Sequence, residues 1–194
     1  MALYPFALFT HIVGILAMFI AIALEFTSIV GMRRAGTTEE LRSWAYLGIV
    51  PERIFPFAGL LALAAGVYMA LVAWGWQTAW INVSLVTFLL MFVVGPLVNS
   101  RRLKALHQAA RQSPSGAISR ELARQIEDPV LFTCVFTLNT VSLGVLFLMT
   151  TKPGLVGSLI ALLIAILFGL FPALLLSRAG AKAPVAKAQE PNIQ

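Results

Sequence analysis

Charged side chains are scarce in this chain. Only 11% of its 194 residues are Asp, Glu, Lys or Arg, whereas 59% are hydrophobic, and the mean hydropathy is +0.89. Soluble domains carry about 25% charged residues. The composition therefore excludes an ordinary soluble fold and predicts an integral membrane protein.

The chain also lacks the residues that common catalytic and metal-binding motifs require. Its single cysteine, Cys134, excludes an internal disulfide and a C-x-x-C site. The sequence contains no G-x-S-x-G, no H-E-x-x-H and no glycine-rich phosphate loop. We therefore expect a protein without catalytic activity of its own.

What the chain has in abundance is long apolar runs. Five of them hold about twenty or more residues, enough for a helix to cross a hydrocarbon core of ~30 Å. They cover roughly residues 5–31, 54–74, 79–98, 129–149 and 155–176. The expected fold class is all-α, a polytopic bundle of five transmembrane helices that forms one membrane domain over residues 1–178.

The basic residues lie almost entirely on one side of these spans. Thirteen of the fourteen Lys and Arg residues fall in residues 32–53, in residues 99–128 or in the tail from Arg178, and Lys152 is the exception. The positive-inside rule then predicts an outward N-terminus and a cytoplasmic C-terminus. We expect residues 179–194 to form a disordered cytoplasmic tail. This distribution favours the lipid bilayer over nucleic acid as the partner of the basic residues.

Residues 99–128 are expected to form a basic helical loop on the cytoplasmic side. Leu103, Leu106 and Ala110 share one face of its first predicted helix. One interpretation is a basic helical hairpin that lies on the anionic cytoplasmic leaflet, where each base near the surface contributes ~1 kcal/mol. The alternative is a docking platform for another protein.

Span one carries the only two ionisable side chains that lie clearly within a predicted span, His11 and Glu25. Such groups are costly in a bilayer and are functional-site hypotheses by default. Their fourteen-residue separation corresponds to ~21 Å along a helix, so they predict two separate sites. Glu25 is a candidate proton or cation relay; the alternatives are a structural carboxyl paired with Arg53 or Asn99, or a carboxyl that burial keeps protonated.

His11 is a candidate ligand of haem b or copper, since imidazole binds both. Met69 and Met149 lie near the outer ends of spans two and four and could supply a sulfur ligand. A second subunit could instead supply its own His11. The alternative is a structural imidazole that is hydrogen-bonded to Asn82 or to water.

Two spans carry a small residue at every fourth position, a pattern that lets helix backbones approach closely in lipid. Span two has Ala58, Ala62, Gly66 and Ala70, and span five has Gly157, Ala161, Ala165, Gly169 and Ala173. Both ridges could pack inside the subunit. The span-five ridge could instead be a seam for a membrane-protein partner or a homo-oligomer.

Several elements of residues 8–106 occur together in a group of small bacterial membrane proteins. They are Thr10-His11-Ile12-Val13-Gly14, Arg33-Arg34, the span-two glycines Gly59 and Gly66, Trp80, and Arg101-Arg102. The chain most resembles an uncharacterised family of integral membrane proteins, and is distantly similar to the copper-resistance CopD domain and to HemJ-type protoporphyrinogen oxidases. It lacks the Trp and paired Gly of CopD and the intramembrane Lys of HemJ. The resemblance implies a location in a bacterial inner membrane and a role for His11 as a haem or metal ligand.

Three functions stay open at this point. The first is a small non-catalytic accessory or interaction subunit of a membrane assembly, which the small-residue ridges and the basic loop favour. The second is a haem-binding or copper-binding protein that uses His11. The third is a proton-coupled transporter that uses Glu25.

Overall fold

The computed structural model describes the chain path of residues 2–180 and the side chains of residues 2–171. This part of the chain is helical apart from short turns, and its only β pairing is an isolated bridge between Thr37 and Ala117. The all-α fold class is confirmed. Residues 181–194, most of the tail predicted to be disordered, lie outside the described residues.

Eight α-helices follow one another along the chain. They are α1 (Tyr4–Arg34), α2 (Thr38–Ile49), α3 (Pro51–Met69), α4 (Ala79–Val94), α5 (Arg101–Gln112), α6 (Arg120–Ile126), α7 (Pro129–Thr151) and α8 (Leu155–Gly180). Two of them continue into a segment of wider π-helix, α3 into Ala70–Trp74 and α4 into Gly95–Ser100.

Four continuous helical stretches are long and apolar enough to cross a membrane. They are Tyr4–Arg34, Thr38–Trp74, Ala79–Gln112 and Arg120–Thr151, and the apolar helix Leu155–Phe171 opens α8. Large apolar side chains cover their outer surfaces: Phe57 is 77% exposed and Phe168 is 68% exposed. An apolar exterior of this kind suits contact with lipid rather than with water.

Small residues set the closest helix contacts of the bundle. A Cβ atom on Gly14 would lie 2.8 Å from both Ala58 O and Ala62 N, so α1 and α3 cross nearly backbone to backbone. A Cβ atom on Gly169 would lie 2.5 Å from Thr137 Cα, so α8 approaches α7 in the same way. The stripe of span-two small residues thus lies against α1.

The span-five ridge faces the inside of the subunit over its central part. A Cβ atom on Gly144 of α7 would lie 3.0 Å from Ala165 Cβ and 4.0 Å from Ala161 O. With Gly169, these residues pack on α7. Gly157 is exposed on the surface, and the side chain of Ala173 lies outside the described residues.

A second layer of packing covers the basic end of the bundle. Helices α2, α5 and α6 contribute buried leucines to one cluster with the ends of α1 and α7. Its members include Ile29, Leu41, Leu103, Leu106, Ala110, Leu122 and Leu131. The apolar face of the 99–128 loop is therefore buried in protein, and the placement of its basic residues on the cytoplasmic leaflet stays a prediction.

Polar caps fix this layer. Arg42 of α2 donates from Nε to Ala110 O at 2.8 Å and from Nη2 to Ser113 O, which satisfies free carbonyls at the end of α5. Asp128 Oδ1 accepts from the Val130 N–H at 2.9 Å and caps α7, as its position before a proline predicts. The layer thereby holds the basic ends of the spans in register.

Candidate functional site

The crossing of α1 and α3 fixes the position of His11. Gly14 lies against Ala58 and Ala62, and His11 is one helical turn before Gly14 on the same face. Gly66, one turn beyond Ala62, leaves room for the imidazole: a Cβ atom there would lie 3.0 Å from His11 Cε1. The small residues of both helices therefore shape the place that the histidine occupies.

The imidazole of His11 is anchored to the backbone of α3. Its Nδ1 lies 2.6 Å from Ala62 O. A carbonyl oxygen only accepts hydrogen bonds, so Nδ1 must carry the proton and donate. In the neutral ring this fixes the tautomer and leaves the lone pair of Nε2 free to bind a ligand.

A cavity of about 420 Å³ lies beside His11, between α1, α3, α4 and α7. We call it the His11 cavity; its lining is mostly apolar and includes Ile15, Val67 and Leu85. Its volume lies within the ~300–1,000 Å³ range of ligand pockets, which are typically apolar with few polar groups. The arrangement can hold an organic ligand of mainly apolar character.

Aromatic and basic side chains lie at one end of the His11 cavity. Trp74 and Trp80 pack edge to face with ring centroids 5.5 Å apart, and Lys152 Nζ lies 4.2 Å from the centroid of the Trp74 ring. All three residues line the cavity. This end therefore combines interfacial aromatics with one positive charge.

Sulfur and hydroxyl groups add donor chemistry to the His11 cavity. Four of the six methionines of the chain line it, namely Met18, Met69, Met91 and Met149. The side chain of Ser84 is fully buried on the cavity lining, and its Oγ has no hydrogen-bond partner among the described residues. A buried polar atom that lacks a hydrogen-bond partner lowers the stability of the fold, so such an atom needs a partner.

A smaller cavity of about 120 Å³ lies around Glu25, between α1, α3, α7 and α4 with its π-helical segment, and Asn139 and Ser142 of α7 also line it. We call it the Glu25 cavity. The Asn99 Nδ2 donates to Glu25 Oε1 at 3.2 Å, and both side chains are buried. Glu52 also lines this cavity, and its Oε2 lies 2.5 Å from Lys104 Nζ.

The two cavities meet end to end inside the bundle. The side chains common to both linings are Met18, Ile22, Phe88, Met91 and Ser142. These mostly apolar groups lie between His11 and Glu25, each of which lines only one of the two cavities.

The structure brings together some of the predicted site residues. His11, Met69 and Met149 line one cavity, and Glu25 lies in the other with Asn99, one of its two predicted alternative partners. Asn82 does not bond His11, since its Nδ2 donates to Trp76 O at 2.7 Å. The hydrogen-bond partner of His11 is a backbone carbonyl, which sequence patterns do not reveal.

Other parts of the site were not predicted from the sequence. Ser84, Glu52 and Met18 were not among the site residues predicted from the sequence. The π-helical segment Gly95–Ser100 had a partial signal, because Pro96 within an apolar span removes one backbone donor.

No curated protein and no solved structure matches the chain. A family model does match residues 6–153, the greater part of the chain and all of the residues that line the two cavities except those before position 6. Its description is "Predicted integral membrane protein (DUF2269)". This confirms the resemblance to an uncharacterised family, whereas the similarity to CopD and HemJ proteins stays a prediction. The chain is an integral membrane protein and a member of this family.

Proposed function

We propose that this protein binds haem b in the His11 cavity, with Nε2 of His11 as an axial ligand of the iron. The observation that carries the proposal is the Nδ1 hydrogen bond to Ala62 O at 2.6 Å on the wall of an apolar cavity. Metal-binding histidines almost always donate their other ring nitrogen to a carbonyl or carboxylate, which fixes tautomer and orientation.

The remaining residues of the cavity fit this group. Haem iron in proteins is held by histidine alone or by histidine with methionine, and Met69 and Met149 line the same cavity. Lys152 at the aromatic end supplies a positive charge suited to a carboxylate. Bound haem would supply a redox-active iron, and the protein would supply ligation and an apolar, water-poor surrounding.

Cuprous copper is the second candidate, and one observation favours it. Four methionine thioethers and one imidazole line the His11 cavity. Thioether sulfur is a soft ligand that selects Cu(I). The cavity is larger than a lone ion needs, which is why we rank haem first; methionine also fills apolar gaps without any metal.

The orientation and the setting are part of the proposal. We infer that the basic end faces the cytoplasm of a bacterial inner membrane, because thirteen of fourteen basic residues lie in segments that share that side. A role as a non-catalytic accessory subunit, in a partner complex or a homo-oligomer, stays a prediction. The central part of the span-five ridge packs on α7 and does not support it. Proton-coupled transport through Glu25 also stays a prediction.

The test is an absorption spectrum with metal analysis of the protein purified in mild detergent from cells supplied with haem precursor and copper. We expect a Soret band and about one iron per chain. A colourless protein that holds copper would favour the second candidate. A colourless, metal-free protein that also fails to bind added haem or Cu(I) would contradict both.

A further inference from the structure

Two buried side chains, Glu25 and Asn99, and the half-buried Glu52 bring oxygen atoms to the Glu25 cavity. Glu25 is 7% exposed and Asn99 is 4% exposed, so neither reaches bulk solvent. Asn99 Oδ1 and Glu52 Oε1 have no hydrogen-bond partner among the described residues. Since the Asn99 Nδ2 already donates to Glu25, its free Oδ1 can accept a hydrogen bond from a donor or bind a cation.

The π-helical segment that follows α4 places Asn99 at the Glu25 cavity. Gly95–Ser100 is a π-helical segment with Pro96 at its start. Such segments appear mostly as single turns inserted in α-helices and are frequent at functional sites. The wider turn redirects Asn99 relative to the α-helix before it, and the residue ends in a cavity rather than in a packed interface.

Glu25 has no ion-pair partner among the described residues. Glu25 and Glu52 are both carboxyl groups on the cavity wall, and Lys104 pairs with Glu52 alone. Arg102 pairs with Asp128. Because no basic side chain in this described part of the chain forms a salt bridge with Glu25, its ionised form would carry one uncompensated negative charge.

We propose that the Glu25 cavity is a binding site for a monovalent alkali cation, with Na⁺ as the ion to test. Its ligands are the Glu25 carboxylate, Asn99 Oδ1 and Glu52 Oε1, oxygen donors of the type that hard cations prefer. At ~30 Å³ per water, the 120 Å³ cavity holds an ion with a few waters. One excess negative charge matches a monovalent rather than a divalent ion.

The test is thermal unfolding of the purified protein in detergent at constant ionic strength, with NaCl replaced stepwise by choline chloride. A ligand that binds only the folded state stabilises it by RT ln(1 + [L]/Kd), so above Kd the melting temperature rises with the logarithm of the ligand concentration. We expect the melting temperature to rise in this way with Na⁺, by roughly 5 °C between choline chloride and excess NaCl. Equal melting temperatures in NaCl and choline chloride would overturn the proposal and leave water or a proton as the partner of Asn99.

Single substitutions test whether the Na⁺-dependent rise in melting temperature arises at the Glu25 cavity. Glu25→Gln and Asn99→Leu should each abolish the Na⁺-dependent shift, whereas Glu121→Gln, at an exposed acid paired with Arg124 on the surface, should keep it. A shift retained in Glu25→Gln would overturn the site. Retention of radioactive sodium by the wild type, displaced by unlabelled Na⁺, tests the proposal even if the variants fail to fold. Stabilisation by Ca²⁺ or Mg²⁺ but not by alkali ions would contradict the charge argument.

Discussion

Replacement of His11 by alanine should abolish haem binding. The variant loses the nitrogen that we propose as the axial ligand, and no other histidine lies in the cavity. Loss of a partner that only orients a metal ligand already costs ~10–100-fold in affinity, so we expect loss of the ligand itself to cost about 100-fold or more. Haem titration followed by absorption measures the affinity directly.

The matched control is His107→Ala, a change in the only other histidine. His107 lies in α5 at the basic end, with its ring 6.2 Å from that of Tyr46, and it lines neither cavity. This variant should bind haem as the wild type does. Unchanged binding in His11→Ala, or an equal loss in both variants, would show that His11 is not the ligand.

Replacement of Gly14 by alanine should destabilise the bundle strongly for such a small change. The added Cβ atom would lie 2.8 Å from two backbone atoms of α3, Ala58 O and Ala62 N, which cannot rotate away as a side chain would. Overpacking costs about 1–3 kcal/mol, and backbone contacts favour the upper end of that range. Unfolding in detergent followed by circular dichroism measures the loss.

Gly95→Ala provides the same chemical change at a position with room. A Cβ atom on Gly95 would meet only Leu138 Cδ1, at an ordinary 3.8 Å. Because alanine also favours helix over glycine by up to ~1 kcal/mol, this variant should be as stable as the wild type or slightly more so. Equal destabilisation by both substitutions would contradict the close crossing of α1 and α3.

The membrane-crossing helices could be predicted from the sequence because lipid imposes a simple requirement. A span must be apolar over its length and must satisfy its backbone internally. The first apolar run, predicted over 5–31, is the helix Tyr4–Arg34, and the fourth, predicted over 129–149, is Pro129–Thr151. The predicted and observed helix ends differ by a few residues. The helices continue into polar flanking residues, and hydropathy does not show where a helix ends among polar residues.

The basic-end layer was only partly predictable. Residues 101–112 form a helix as expected, but Thr38–Ile49 was interpreted as part of a basic loop. Its leucines are spaced among charged residues, a pattern typical of an amphipathic helix on a protein surface as well as of a loop. The partner of the face with Leu103 and Leu106 is α2, a contact between segments about 60 residues apart that local patterns do not encode.

The candidate site was also only partly predictable from the sequence. His11, Met69 and Met149 were grouped from their depth in the bilayer, and all three line one cavity. The anchor of His11 is a main-chain atom of α3, and main-chain atoms carry no sequence signature. The π-helical segment that presents Asn99 depends on the packing of α4 rather than on residue type alone.

The most direct measurement of the central claim is nuclear magnetic resonance of the imidazole nitrogens in protein with isotopically labelled histidine. His107→Ala removes the second signal, so the remaining pair belongs to His11. We expect a neutral ring with the proton on Nδ1 and a free Nε2 whose resonance moves when haem or Cu(I) is added. A proton on Nε2, or an Nε2 signal unaffected by either ligand, would contradict the account.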